Sequence, residues 1–254
     1  MSDLQETEHA KNIAAFHQLV SLCIDLEKVY RPESINLQPA ALYQQLSACR
    51  QALEEAKECK MKLAKSLRLR DVSFQPIAQL TNNVLQELSA AKASPQTIKK
   101  ALGQVKEIQE SSSRKAPKKV NSNKTIGTPK SDYYSQTVNH SKVIDQFDQL
   151  IQTVTIEPNY LPNNLDLKII MLKLVLQELQ SKHNAVVFAE LSLNNARQHC
   201  AQLIDGHNGL IQTANDVIDY ISEITRSSGP IYRKVSAIRF IRPVKKRTIL
   251  ASHK

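Results

Sequence analysis

Residues 189–224 read AELSLNNARQHCAQLIDGHNGLIQTANDVIDYISEI, and their spacing decides the fold class. Ala189, Leu193, Ala196, Cys200, Leu203, His207, Leu210, Ala214, Val217, Ile221 and Ile224 recur at steps of three and four. That spacing lays one apolar seam along a helix, because about 3.6 residues complete a turn. A seam this long belongs to a helix packed against others in a bundle. Leu42, Leu46, Cys49, Leu53, Ala56, Leu63 and Leu67 draw a second seam, broken only by Lys60. The chain is therefore expected to be all-α.

Composition points the same way. Strands favour β-branched and aromatic residues and hairpins favour Gly, yet the 254 residues include 5 Gly and no Trp. Proline interrupts helices, and none lies between Pro39 and Pro76 or between Pro162 and Pro230. Those gaps are where long helices fit.

The two seams read as copies of one unit. Phe16-His-Gln-Leu-Val matches Phe147-Asp-Gln-Leu-Ile, and each is followed by Tyr-x-Pro, at Tyr30/Pro32 and Tyr160/Pro162. An offset of 130 pairs Leu37 with Leu167, Leu42 with Leu172 and Leu46 with Leu176. After a small insertion, an offset of 133 pairs Val84 with Val217, Leu88 with Ile221, Val105 with Ile238 and Ile108 with Ile241. Gly209 then aligns with Pro76, which predicts a break at both places. Ser94-Pro95 supplies an N-cap and a first-turn proline, and Ser228-Gly229-Pro230 opens a short last helix running through Val235 and Ile241. The expected organisation is two tandem antiparallel bundles of about four helices each, over residues 1–108 and 143–242. A disordered or extended basic linker (109–142) joins them, and a basic tail (243–254) follows. Tyr133 and Tyr134 read as exposed linker residues.

Charge is unevenly spread. Of the net +10, residues 1–108 hold 14 basic and 12 acidic groups, and residues 143–225 hold 4 and 10. Residues 109–142 hold 7 and 2, whereas residues 226–254 hold 9 basic groups and no acid. The candidates for contact with an anionic partner are therefore Arg114, Lys115, Lys118 and Lys119 in the linker. At the C-terminal end they are Arg233, Lys234, Arg239, Arg242, Lys245, Lys246 and Arg247.

Catalytic and metal signatures are sparse. Glu-x-x-His, a di-metal bundle motif, occurs once, at Glu6 and His9, and reads as chance near a fraying terminus. His207 on the seam, and His183 at the position of Leu53, read as core or helix-end residues. Lys60 and Glu190 fall at equivalent seam positions, where a polar residue can fix register. No glycine-rich phosphate loop is present. The expectation is no enzyme, no catalytic residue, no cofactor and no metal. Cys23, Cys49, Cys59 and Cys200 show no C-x-x-C spacing and read as buried free thiols of a cytoplasmic protein. The polar start lacks a signal-peptide profile, and the apolar run 169–176 is too short to span a bilayer.

The second copy resembles uncharacterised tandem helical-bundle repeat proteins of Bacteroidota. The residues that carry this are 160–164, Asn194-Asn195-Ala196-Arg197, Gly209-Leu210, and the closing Gly-Pro-Ile-Tyr-Arg-Lys-Val-Ser-Ala-Ile-Arg-Phe at 229–240. The likeness spans 143–242 and, more faintly, 12–108, where Thr97 and Gly103 depart from it. It implies a bacterial helical repeat protein and brings no activity. The expected function is a non-enzymatic scaffold with a protein partner. The alternative is a nucleic-acid-binding or compacting protein that acts through the linker and tail.

Overall fold

The computed structural model describes residues 3–26, 29–112, 130–225 and 229–241. All regular structure among them is helical: α1 (Asp3–Asp25), α2 (Pro39–Phe74), α3 (Ile77–Ala90), α4 (Pro95–Ser112), α5 (Lys130–Ile156), α6 (Ile169–Asp205), α7 (Leu210–Ile224) and α8 (Pro230–Ser236). Single 3-10 turns at Ile35–Leu37 and Leu165–Leu167 precede the two long helices. The order of elements thus recurs, from α1 to α4 and from α5 to α8.

Local chemistry sets the ends. Tyr30 Oη donates to the Leu37 carbonyl at 2.6 Å, and Tyr160 Oη donates to the Leu167 carbonyl at 2.9 Å. Both loops are closed by a buried phenol seven residues before its acceptor, which orients the entry to α2 and to α6. Burial pushes both phenols well above the usual tyrosine range. The Ser94 hydroxyl accepts from the Thr97 amide at 3.1 Å and caps α4 ahead of Pro95. Gly206 ends α6 in a turn so tight that a Cβ there would collide with the Gln202 carbonyl. At the start of α8, Gly229 has φ 103, open to glycine alone at low cost, and Pro230 occupies the first turn.

The chain folds into two compact units, and they are not its sequential halves. The first unit comprises Met1–Lys62 and Ala189–Lys254, and the second comprises Leu63–Phe188. The division passes through α2 and α6 rather than through the segment between α4 and α5. In the first unit, Phe16, Leu19, Leu42 and Cys49 share one core with Ile204, Leu210, Val217 and Val235. There α1 packs on α7, and α7 meets both α8 and the turn at Ile35–Leu37. In the second unit, Ile77, Leu88, Ala101 and Ile108 share a core with Phe147, Leu150, Leu172 and Leu179. There α5 packs on α4, and α3 meets both α4 and the turn at Leu165–Leu167. Periodicity shows which face of a helix is apolar. It does not show which segment covers that face, so covering from the other sequence half was invisible to it.

Several local expectations change. The segment read as linker is helical at both ends, because α4 continues to Ser112 and α5 begins at Lys130. Extending a formed helix past its apolar stripe costs little compared with nucleating one. Residues 113–129 lie outside the described part, and Tyr133 and Tyr134 fall on the α5 backbone. The last helix stops at Ser236 instead of reaching Ile241. His207 is exposed in the turn after α6. Both long helices are unbroken, so the 130-residue offset persists to their ends and pairs Phe74 with Ile204. An insertion inside a helix would rotate its stripe by about 100° per residue, whereas a turn absorbs it.

Candidate functional site

The densest polar constellation joins the start of α1 to the second half of α6, inside the first unit. Glu6 Oε1 accepts from Arg197 Nη2 at 2.8 Å and from Nε at 3.1 Å. Its Oε2 accepts from Lys60 Nζ at 3.4 Å. The Glu6 and Arg197 side chains are largely buried, so this charged pair is held by mutual compensation. His9, also buried, meets Asp205 Oδ2 at 2.9 Å through Nε2 and the Cys200 Sγ at 3.7 Å through Nδ1. Glu6 and His9 are thus not a frayed end but two anchors of α1. Lys60 is part-exposed and reaches sideways to Glu6, rather than standing in the seam. Glu190 is half-buried.

Cysteine, histidine and aspartate in this order have the outline of a nucleophilic triad, but the thiol is not activated. Cys200 is fully buried, and burial, aided by the charges of Asp205 and Glu6, pushes its thiol up to about 11. A thiol held there is almost wholly protonated at neutral pH and is a poor nucleophile. Cys23 is pushed up to about 11 and Cys49 to about 12, both chiefly by burial. All four cysteines are free and buried.

Asn12, buried on α1, forms a second anchor. Its side-chain amide donates to the Ile241 carbonyl at 2.9 Å, and its oxygen accepts from the Ile241 amide at 2.8 Å. Once α8 ends at Ser236 the following backbone has no helical partners, and Asn12 satisfies both groups of one residue. On the 131-residue offset of Phe16 and Phe147 the same place on α5 is Val143, buried in the second core. There the facing segment is α4, whose backbone bonds are made within the helix.

Two surfaces remain. A cleft of about 460 Å3 in the first unit is lined by Glu55, Cys59, Lys62, Asn195 and His199 among others. No three His, Cys, Asp or Glu side chains among the described residues converge to hold a metal. In the second unit, large apolar side chains stand in solvent around the Tyr160 loop. Ile156 is 78% exposed, Leu161 81%, Leu165 66% and Ile170 68%, with Leu174 beside them in sequence.

The basic candidates divide. Arg233 and Lys234 on α8, and Arg239 after it, are exposed and enter no salt bridge among the described residues. Arg242, Lys245, Lys246, Arg247, Arg114, Lys115, Lys118 and Lys119 lie outside the described residues. No family model, curated protein or solved structure matches this chain. No helix among the described residues is long and apolar enough to cross a membrane.

Sequence reasoning passed over Asn12, Arg197 and Asp205. Arg197 did leave a signal, since Leu193, Arg197, Cys200 and Ile204 keep steps of four, three and four. A guanidinium in a seam calls for a buried carboxylate. Nothing in the spacing pointed to Glu6, 191 residues away.

Proposed function

We propose that the chain is a non-enzymatic protein-interaction protein, built from a duplicated helical unit whose halves are exchanged. The observation that carries this is the aliphatic surface around the Tyr160 loop. Exposed apolar residues scattered singly are ordinary, but a cluster is a common mark of an interface. The first unit also exposes apolar residues near its Tyr30 loop, Ile24, Val29, Ile35 and Tyr43, but mostly at other positions. On the 130-residue offset, Ile156, Leu161, Ile170 and Leu174 correspond to Leu26, Arg31, Ala40 and Gln44, and only Leu165 keeps an exposed aliphatic counterpart, Ile35. The surface therefore fits a protein partner presenting an apolar face.

Leu161→Glu with Ile170→Glu tests this. Both sites are exposed, so each change is expected to move stability by no more than about 0.5 kcal/mol. A photo-crosslinker placed at Leu165 in the full chain is expected to trap a discrete partner in native lysate. The double variant is expected to lose that adduct. An identical adduct in the variant, or none with the parent chain, counts against the reading.

A second reading is binding to nucleic acid through the cationic segments. Its support is the exposed, uncompensated set Arg233, Lys234 and Arg239, leading into residues 242–254, where no acid occurs. Six phosphate contacts would weaken duplex binding about 1,000-fold between 50 and 200 mM salt. Removing residues 242–254 is expected to flatten that slope. A chain that gives no gel shift at low salt contradicts this second reading.

A further inference from the structure

The seam of α2 does not stop at Leu67. Steps of three and four continue to Arg70 and Phe74, and Arg70 is only 1% exposed. Its Nε and Nη2 reach only Asp71 Oδ1, the next residue in the chain, at 3.4 and 3.3 Å. Asp71 is itself mostly in solvent, so it compensates a buried guanidinium weakly. Arg70 Nη1 is buried and has no acceptor.

His183 occupies the corresponding seam of α6 within the same unit, 9% exposed. Its Nε2 meets Ser141 Oγ at 3.2 Å, and its Nδ1 is buried without a partner. When the Ser141 hydroxyl donates to Nε2, the proton sits on Nδ1, and both open positions are donors. Burial, and then the charge of Arg70, hold the imidazole below the usual histidine range. Asp71 Oδ1, which Arg70 meets, also lies 3.8 Å from His140 Nε2, and Ser141 beside His140 meets His183, so both groups sit against the same turn of α5.

The first unit shows what these positions look like when the fold alone is served. On the 130-residue offset, His183 corresponds to Leu53 and Arg70 to Cys200, and both belong to the first core. The largely buried Arg197 of that unit receives a full carboxylate from Glu6. Apolar side chains at a buried charged site are often neutral or stabilising. A water could accept a hydrogen bond from Nη1, but it could not offset the charge.

We propose that Arg70 and His183 form a binding site in the second unit for one small oxyanion, a phosphate or a monocarboxylate. The guanidinium supplies the charge, and Arg70 Nη1 and His183 Nδ1 supply two buried donors with no acceptor of their own. The proposal is independent of the interaction reading above.

The test is thermal unfolding of the full chain with inorganic phosphate, sulfate or acetate, each against chloride at matched ionic strength. At a hundredfold excess over its Kd, the preferred anion is expected to raise the unfolding temperature by about 5 °C, and to do so saturably. Comparing the anions separates phosphate from carboxylate chemistry. Arg70→Met with His183→Leu gives the site an apolar pair like that of the first unit. That variant is expected to stay folded and lose the anion effect. If it fails to fold, the Arg70 Nε–H resonance of the parent chain, followed through a phosphate titration, serves as the readout. No anion-specific shift, an equal shift in the variant, or an effect confined to several hundred millimolar (an adventitious ion only) overturns the proposal.

Discussion

Phe16→Ala is expected to destabilise the chain by about 3–5 kcal/mol, and most of the damage should appear far away in sequence. Phe16 is fully buried in the core that also holds Leu210, Val217 and Ile221. Removing the ring leaves a cavity beneath α7, because α1 packs on that helix. Hydrogen exchange should therefore quicken across 210–224, while 77–90 and 95–112 keep their protection. Phe147→Ala should do the converse, since Phe147 shares its core with Ile77, Leu88 and Ile108. Amide exchange read by mass spectrometry separates the two patterns. If Phe16→Ala loosened α3 and α4 before α7, the first core would belong to the first sequence half after all.

Phe16 and Phe147 were legible as core anchors, both fully buried, because aromatic residues in Phe-x-Gln-Leu stand out against a polar helix. The long seams were legible for the same reason, as was the break at Pro76, where a missing amide stops the helical ladder. The capped start at Ser94-Pro95 could also be read directly. His207 misled because the extra residues were placed before it, whereas they sit around it in a turn. The last helix misled because Ile238 and Ile241 keep a helical step, although Asn12 holds Ile241 in a non-helical segment. Arg70 was missed because arginine reads as the end of an apolar stripe. Only burial reveals it as a further step of the seam.

For the candidate site, the exposed cations of α8 could be read from the sequence, and the aliphatic surface could not. Leu161 and Ile170 look like core residues by composition. They stand in solvent because the Tyr160 loop is closed by its own phenol, with Tyr160 and Leu167 filling the core beneath it. Glu6 and His9 were visible as a motif, and their role was not, since Arg197, Cys200 and Asp205 lie 191 to 196 residues away.

The central claim is the exchange of halves, and it carries the second large effect. Excising residues 113–129 gives fragments 1–112 and 130–254, and each core needs residues from both. A fragment alone leaves the apolar faces of its helices uncovered and cannot offset the entropy of ordering them. Together the fragments rebuild both cores, at the loss of the effective concentration that the connection provides. The direct measurement is light scattering with thermal unfolding on each fragment and on their equimolar mixture. The exchanged arrangement predicts one heterodimer of one copy each with a cooperative transition, and no cooperative monomeric transition for either fragment alone. Two fragments that each unfold cooperatively as monomers, and ignore one another when mixed, would contradict it.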